Sequence, residues 1–288
     1  MSKTVTEENC PEEHCNSCPL HGSCSKEQQI NKVKMLEGSS AKHIIGVVSG
    51  KGGVGKSFTT SFLACNLARL GFKVGILDAD ITGPSIPTAF GSKYKVVGDE
   101  DGKNMYPGIT KGLHIELISS NMLLDDITDP IVWRGPLIGD LVIQFFNQVY
   151  WGKLDYLLID MPPGTGDVAL SAFQKIPLDG LVLVTTPQEL VSIIVEKAAK
   201  MAKMMNIPIL GLISNMSYLV CPHCFKRIDL YGKDHLEEIA QKLQITNVAK
   251  LPFNPDIPNY VDKGLIENFN ADFLAEFTKK LIDVNDGK

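Results

Sequence analysis

Apolar residues fall in short continuous runs along most of the chain, at residues 44–48, 73–77, 113–118, 156–159, 181–184, 209–213 and 248–251. These runs are rich in β-branched and aliphatic side chains and show little polar alternation. That is the pattern of parallel strands covered on both faces. Stretches with helical spacing lie between most of them, at 57–70, 191–205 and 233–243. Gly71 stands just past the first of these, as a C′ glycine would. Strand–helix alternation over this length predicts an α/β fold with a doubly wound, mostly parallel sheet. Residues 91–112 are polar and glycine-rich and read as a loop or small hairpin. In the tail, Phe273, Phe277, Leu281 and Val284 share one stripe, with Lys279 and Lys280 among acidic neighbours. That arrangement suits docking on a core better than insertion into a lipid surface. Residues 1–40 break the pattern. They are polar, cysteine-rich and poor in long aliphatics, so they bury little by themselves and would need a metal to organise them. The chain therefore divides into an N-terminal arm, 1–40, and one domain, 41–288.

Composition narrows the function classes. At 44% hydrophobic and 21% charged residues, the 288-residue chain is ordinary for a globular protein, which excludes wholesale disorder. The formal charge of −5 argues against a broad basic footprint for nucleic acid or anionic lipid. No run approaches the ~18 apolar residues of a membrane span. The first residues are polar and acidic, with no apolar core of a secretory signal. The expectation is a cytoplasmic protein with neither nucleic acid nor membrane as partner. Cysteine placement fits that compartment. Cys10, Cys15, Cys18 and Cys24 cluster in the arm, and Cys221-Pro222-His223-Cys224 forms a close pair. In a reducing compartment such clusters point to metal or redox chemistry rather than disulfides. Cys65 stands alone in an apolar helical stretch and reads as core filling.

Gly50-Lys51-Gly52-Gly53-Val54-Gly55-Lys56-Ser57 fits G-x-x-x-x-G-K-[ST] in full, after a predicted strand and before a predicted helix. In such a loop the backbone N–H groups turn inward around phosphates and the helix N-terminus adds positive potential. Lys56 would bridge the phosphates and Ser57 would place its hydroxyl on Mg²⁺. The nucleotide-binding set extends to Phe58, in the helix's first turn. Asp78 and Asp80 end the second strand, and carboxylates at a strand's C-terminal end lie beside the ligand crevice of such sheets. Asp78 either assists Mg²⁺ or caps the turn. Residues 157–159 run into Asp160, a Walker B pattern that would hold Mg²⁺, followed by Met161-Pro162-Pro163-Gly164-Thr165-Gly166-Asp167, a rigid loop with glycine hinges.

The second lysine of the phosphate loop, Lys51, resembles the deviant Walker A signature of the nitrogenase iron-protein and Min/Par superfamily. The resemblance implies that Lys51 reaches across a dimer to the partner's nucleotide. It also implies that Asp80 orients or activates the attacking water and that Asn215 hydrogen-bonds adenine. Four motifs together narrow it further: the phosphate loop, Asp78-Ala79-Asp80-Ile81-Thr82-Gly83-Pro84-Ser85, Trp133-Arg134-Gly135-Pro136, and Asp160 through Asp167. This set, within residues 40–270, resembles the Mrp-type iron–sulfur cluster carrier ATPases. That implies a homodimeric, slow, Mg²⁺-dependent and dimerisation-coupled ATP hydrolase. Such a protein binds a labile [4Fe–4S] cluster, receives it from upstream assembly machinery and passes it to apo iron–sulfur proteins. Cys221 and Cys224 match the family's C-x-x-C. Two thiolates per chain fall short of the four a cubane takes, and a two-fold dimer would supply the rest. By spacing alone Zn²⁺ across the same dimer fits as well; the resemblance favours iron–sulfur. A Min/Par-like positioning ATPase with structural zinc is the alternative. Cys15, Cys18 and Cys24 are similar in spacing to the last three cysteines of a second, N-terminal [4Fe–4S] site of eukaryotic members; the first spacing, from Cys10, is shorter, so either Cys10 or, in its place, His14 or His21 completes the set. A zinc knuckle or a reactive tail is the other reading of the arm.

Overall fold

A computed structural model describes residues 32–285 apart from 82, 100, 102, 125–134, 165, 191–192 and 233–234. Cys10, Cys15, Cys18 and Cys24, with Trp133 and Arg134, lie outside the described residues.

In chain order the elements are β1 (Ser40–Ser49), α1 (Lys56–Arg69), β2 (Val74–Asp78), α2 (Ile86–Ala89), β3 (Val97–Gly98), β4 (Met105–Tyr106), β5 (Gly108–Ile109) and β6 (Glu116–Ser119). There follow α3 (Gly135–Asn147), β7 (Lys153–Asp160), α4 (Asp167–Lys175), β8 (Gly180–Thr185), α5 (Pro187–Leu190) and α6 (Ile193–Met204). The chain continues with β9 (Ile209–Val220), β10 (Arg227–Ile228), α7 (Leu236–Lys242), β11 (Val248–Pro252), α8 (Asp256–Asp262) and α9 (Ala275–Asn285).

The continuous apolar runs are the central strands, and β2 and β8 are buried at every position. The nine-stranded sheet runs β10-β9-β8-β1-β7-β2-β6-β5, with β11 also pairing β9. β5 and β10 are antiparallel to their neighbours, and the other pairings are parallel. One apolar layer, including Leu141, Phe145, Trp151 and Phe173, packs α3 and α4 against the sheet. A second, including Phe62, Leu67, Phe277 and Leu281, packs α1 and α9. Burying both sides of the sheet is the main apolar driving force for this architecture.

β1 and β7 are neighbours, yet their chains leave in opposite directions. From β1 the chain crosses to β2, beyond β7; from β7 it crosses to β8, beyond β1. Divergence of two loops at the carboxyl ends of adjacent strands opens the crevice in which such sheets bind ligands. The phosphate loop and the loop after Asp160 are those two loops.

Local chemistry accounts for the boundaries. α1 ends in a Schellman motif: Gly71 N–H donates to Ala68 O, Phe72 N–H donates to Leu67 O, and Gly71 has φ 92°. The buried Cys65 is core filling, as its setting predicts. Residues 91–112 contain the small hairpin β3–β4. In the tail, Phe277 and Leu281 are buried, whereas Val284 is exposed.

Two features depart from the sequence pattern. α3 carries no predicted element, because its apolar residues outnumber its polar ones and Gly139 interrupts it. Gly139 is small where α3 meets α4: a Cβ there would lie 3.3 Å from Ser171 Oγ. β9 continues seven residues past the predicted end at Ile213, reaching Val220. Between Ser214 and Tyr218 it advances four residues while β11 advances only two, from Lys250 to Pro252, so β9 bulges there. Met216, at the bulge, has φ 54°. Bulges of this kind re-aim side chains beside functional sites.

Candidate nucleotide site and cysteine hairpin

The phosphate loop turns from β1 into α1 through two glycines in the left-handed region, Gly53 and Gly55, each with φ 82°. Gly55 is constrained twice, because a Cβ there would lie 2.2 Å from Asn215 Nδ2. That amide donates to Val54 O at 2.9 Å, while Asn215 Oδ1 accepts from Met216 N–H at 3.0 Å. The bulge of β9 thus turns Asn215 onto the phosphate loop, to which it is fastened. The expected adenine contact has one Oδ1 lone pair left to use.

Lys56 opens α1 and is 6% exposed. Its Nζ lies 2.8 Å from Asp160 Oδ2 and 3.6 Å from Asp80 Oδ2. The closer pair is an ion contact, but no acceptor meets hydrogen-bond geometry, leaving a buried ammonium with unsatisfied donors. Such a group fits an anionic ligand such as phosphate. Ser57 Oγ donates to Asp160 Oδ2 at 2.5 Å. This hydroxyl–carboxylate pair is a hard oxygen donor set of the kind Mg²⁺ takes. Thr60 Oγ1 donates to Asp160 Oδ1 at 2.7 Å, so both oxygens of that buried carboxylate are held by α1. Thr60 was not singled out from the sequence, although its place three residues after Ser57 puts it on the same helix face.

Asp78 is buried, with Oδ1 accepting from Asp80 N–H and Oδ2 from Ser119 Oγ. The bond from Asp80 N–H is that of a turn cap. Burial and the Asp160 carboxylate push its pKa up to about 8, against the pull of Lys56 and the Ser119 hydrogen bond. The loop after Asp160 is tied back to the first strand: Met161 N–H donates to Val47 O and Gly164 N–H to Ser49 O. Lys51 is exposed at the start of the phosphate loop, and Ser49 Oγ donates to its carbonyl. Phe58 directs its ring into an aromatic group with Phe62 and Phe269.

The structure therefore gathers Gly50, Lys51, Gly52, Gly53, Val54, Gly55, Lys56, Ser57, Asp80, Asp160 and Asn215 at one edge of the sheet. Cys221 and Cys224 stand apart, in the turn joining β9 to β10. Cys221 N–H donates to Lys226 O and Phe225 N–H to Cys221 O, closing a tight loop with Phe225 at φ 58°. Cys221 is half-buried and Cys224 exposed. The backbone N–H groups of Cys224 and His223 and the Cys224 thiol hold the Cys221 thiol below its ordinary pKa. Among the described residues no group of three or more His, Cys, Asp or Glu side chains could hold a metal. Phe225, 79% exposed, Val220 and Ile228 present apolar surface beside the pair.

Known proteins resemble this chain in sequence and fold. A curated protein of Clostridium perfringens named iron-sulfur cluster carrier protein is 42% identical over 263 residues, covering 90% of this chain and 92% of its own. One of the same name from Methanocaldococcus jannaschii is 40% identical, covering 95% of this chain and 97% of its own. A solved nucleotide-binding protein in complex with ADP from Archaeoglobus fulgidus superimposes with TM-score 0.74 at 41% identity, over 82% of this chain and 92% of its own. The cell division ATPase MinD of Pyrococcus furiosus superimposes with TM-score 0.59 at 20% identity, over 86% of this chain and all of its own, a likeness of fold alone. A family model described as NUBPL iron-transfer P-loop NTPase, within the ParA group, matches residues 40–284. The chain belongs to that iron-transfer P-loop NTPase family.

Proposed function

We propose that this protein is an ATP-hydrolysing iron–sulfur cluster carrier. It holds a labile [4Fe–4S] cluster between two protomers through Cys221 and Cys224 of each, and delivers it to apo-proteins. The observation that carries the reading is the cysteine hairpin: two adjacent thiols beside exposed apolar side chains, with no further ligand among the described residues to close a metal site within one chain. A second copy related by a two-fold axis supplies the missing two thiolates. The names of the relatives and the ADP complex of the Archaeoglobus fulgidus protein support the pairing of cargo with nucleotide.

At the crevice, the unsatisfied Lys56 ammonium and the inward N–H groups of residues 50–57 bind the ATP phosphates. Ser57 and Asp160 hold Mg²⁺, which supplies charge neutralisation at the phosphates when bound. Asp80, 3.6 Å from Lys56 Nζ, orients the attacking water. Lys51, exposed on the loop, acts on the partner's nucleotide. Lys56→Ala should abolish ATP binding, whereas Lys51→Gln and Asp80→Asn should bind ATP and turn it over poorly. The arm cysteines Cys10, Cys15, Cys18 and Cys24 form a second cluster site, and the protein works as a cytoplasmic homodimer.

The test is anaerobic reconstitution with iron and sulfide, read by Mössbauer spectroscopy with iron and zinc analysis. It should be followed by transfer to an apo-acceptor, comparing wild type with Cys221→Ser/Cys224→Ser. The expected result is a cubane signal in wild type and loss of transfer in the variant. Undiminished transfer by the variant, or stoichiometric zinc at the pair with no uptake of iron, refutes the carrier site.

A further inference from the structure

The irregular segment that leads into β1 begins with a clamp on another element. Lys32 Nζ donates to Phe173 O at 2.6 Å and to Ile176 O at 2.7 Å. Val33 N–H donates to Lys175 O at 2.8 Å. All three acceptors lie in the last turn of α4 or just past it. The final carbonyls of a helix have no partner within it, and a cation there also meets the negative end of the helix dipole. The segment is seated as well as bonded, because Val33 and Met35 pack against the apolar layer that holds α3 and α4.

α4 is not a remote helix. It begins at Asp167, directly after the loop that follows Asp160, and Leu170 N–H donates back to Gly166 O. Nine helical residues span ~13 Å, short enough to move as one rigid rod. A shift along its axis at one end therefore appears at the other. At the loop end, the ties are Met161 N–H to Val47 O and, beside the phosphate loop, Gly164 N–H to Ser49 O.

We infer that Lys32 is a positioning residue for the loop at residues 161–166: by fastening the C-terminal carbonyls of α4 it fixes where that helix, and the loop at its other end, sits against the phosphate loop. The positioning itself stands on the hydrogen bonds alone; its effect on turnover rests on the ATPase reading above. Side-chain identity matters because one ammonium bridges two carbonyls, which a methionine of similar length cannot do and an arginine can.

The experiment uses the full chain with Lys32→Met and Lys32→Arg. Peptide-resolved amide hydrogen exchange, without nucleotide, reads residues 161–166 and 170–176. In Lys32→Met both segments should exchange about tenfold faster than in wild type, and Lys32→Arg should restore most of the protection. Peptides from β2 and β8 serve as the control for general loosening and should not change. With Mg²⁺–ATP added, kcat should fall several-fold in Lys32→Met while KM stays within about twofold, the signature of lost loop placement rather than lost binding. Unchanged exchange at 161–166 in Lys32→Met overturns the inference, and so does a rise that Lys32→Arg fails to reverse. If wild type neither binds nor hydrolyses ATP, the ATPase reading fails, while the nucleotide-free exchange still decides the role of Lys32.

Discussion

Thr60→Val removes one hydroxyl from the interior of the candidate site and leaves the side-chain shape nearly unchanged. Thr60 and Asp160 are both buried, and the hydroxyl lies 2.7 Å from Asp160 Oδ1 and 3.0 Å from Lys56 O. A hydroxyl has one proton, and the shorter contact to the charged acceptor is the stronger claim on it. Removing a hydrogen bond to a buried carboxylate forfeits about 1.5–3 kcal/mol. Because the shape is retained, no cavity term is added. The expected loss is therefore about 2–3 kcal/mol, or roughly 5–10 °C in Tm for a domain of this size. Thr278→Val is the matched control. Thr278 is also buried, but its Oγ1 has no partner. Deleting an unsatisfied hydroxyl should be neutral or stabilising by about 1 kcal/mol. Urea unfolding of wild type and both variants, with m unchanged, measures the two effects on one scale. A Thr60→Val protein within about 0.5 kcal/mol of wild type, or one no less stable than Thr278→Val, would refute the view that Asp160 is held by α1.

Gly55→Ala should lower nucleotide affinity more than tenfold, since its Cβ displaces Asn215 as well as straining the backbone; Gly71→Ala, also at positive φ but with nothing within 4 Å, should bind normally in the same titration. Glu116 has its pKa pushed up to about 7, chiefly by burial, and its Oε2 has no partner. A raised carboxyl pKa means the fold favours the protonated form, so the contribution of Glu116 to stability is present below about pH 4.5 and lost as pH rises through about 7. Glu116→Gln should accordingly be more stable than wild type at pH 8, by about 1 kcal/mol after allowance for solvent screening of a partly exposed group, and equal to it near pH 4.5. Equal unfolding midpoints at both pH values would contradict this. Cys65 is buried, with its thiol pushed up to about 12, so peptide-resolved iodoacetamide labelling at pH 8 should modify Cys221 and Cys224 in the native apo-protein and reach Cys65 only after unfolding.

The sheet was legible because both of its faces are covered. Full burial makes β2 and β8 apolar without interruption, and that signal survives in a single sequence. The phosphate loop was legible because backbone geometry demands glycine at Gly53 and Gly55, and at Gly55 the packing of Asn215 demands it as well. Where the physics is tertiary, the signal fades. Ser214 and Asn215 look like the end of a strand, since polar residues follow an apolar run. The strand continues because β11 and β10 pair with it on either side of the bulge. α3 carries a polar stripe, Asp140, Gln144 and Asn147, opposite its buried face, but Gly135, Pro136 and Gly139 interrupt the run and mask the helix in the sequence. Thr60 was invisible for a different reason: a threonine inside a helix ordinarily bonds its own turn, as this one also does at Lys56 O. Only the neighbouring β7 strand reveals the carboxylate it serves.

The bulge in β9 ties together the two halves of the candidate chemistry. Met216 sits in a conformation that costs a non-glycine residue about 1 kcal/mol or more, so the surroundings must hold it there. Asn215 Oδ1 accepts from Met216 N–H, and Ser217 Oγ donates to Ser214 O, two local bonds that lock the distortion. Without the bulge, strand alternation would set a different direction for Asn215, and Val54 O would lose its partner. Beyond the bulge the same strand runs on to Val220, is braced by β10 and by Arg227 stacked over Tyr218, and ends at Cys221. Six residue steps lead from Asn215 to Cys221, a reach of at most ~20 Å. One strand thus carries a side chain clasping the phosphate loop near its middle and a thiol at its tip. A residue in a strained conformation at the hinge between them is what keeps both in register.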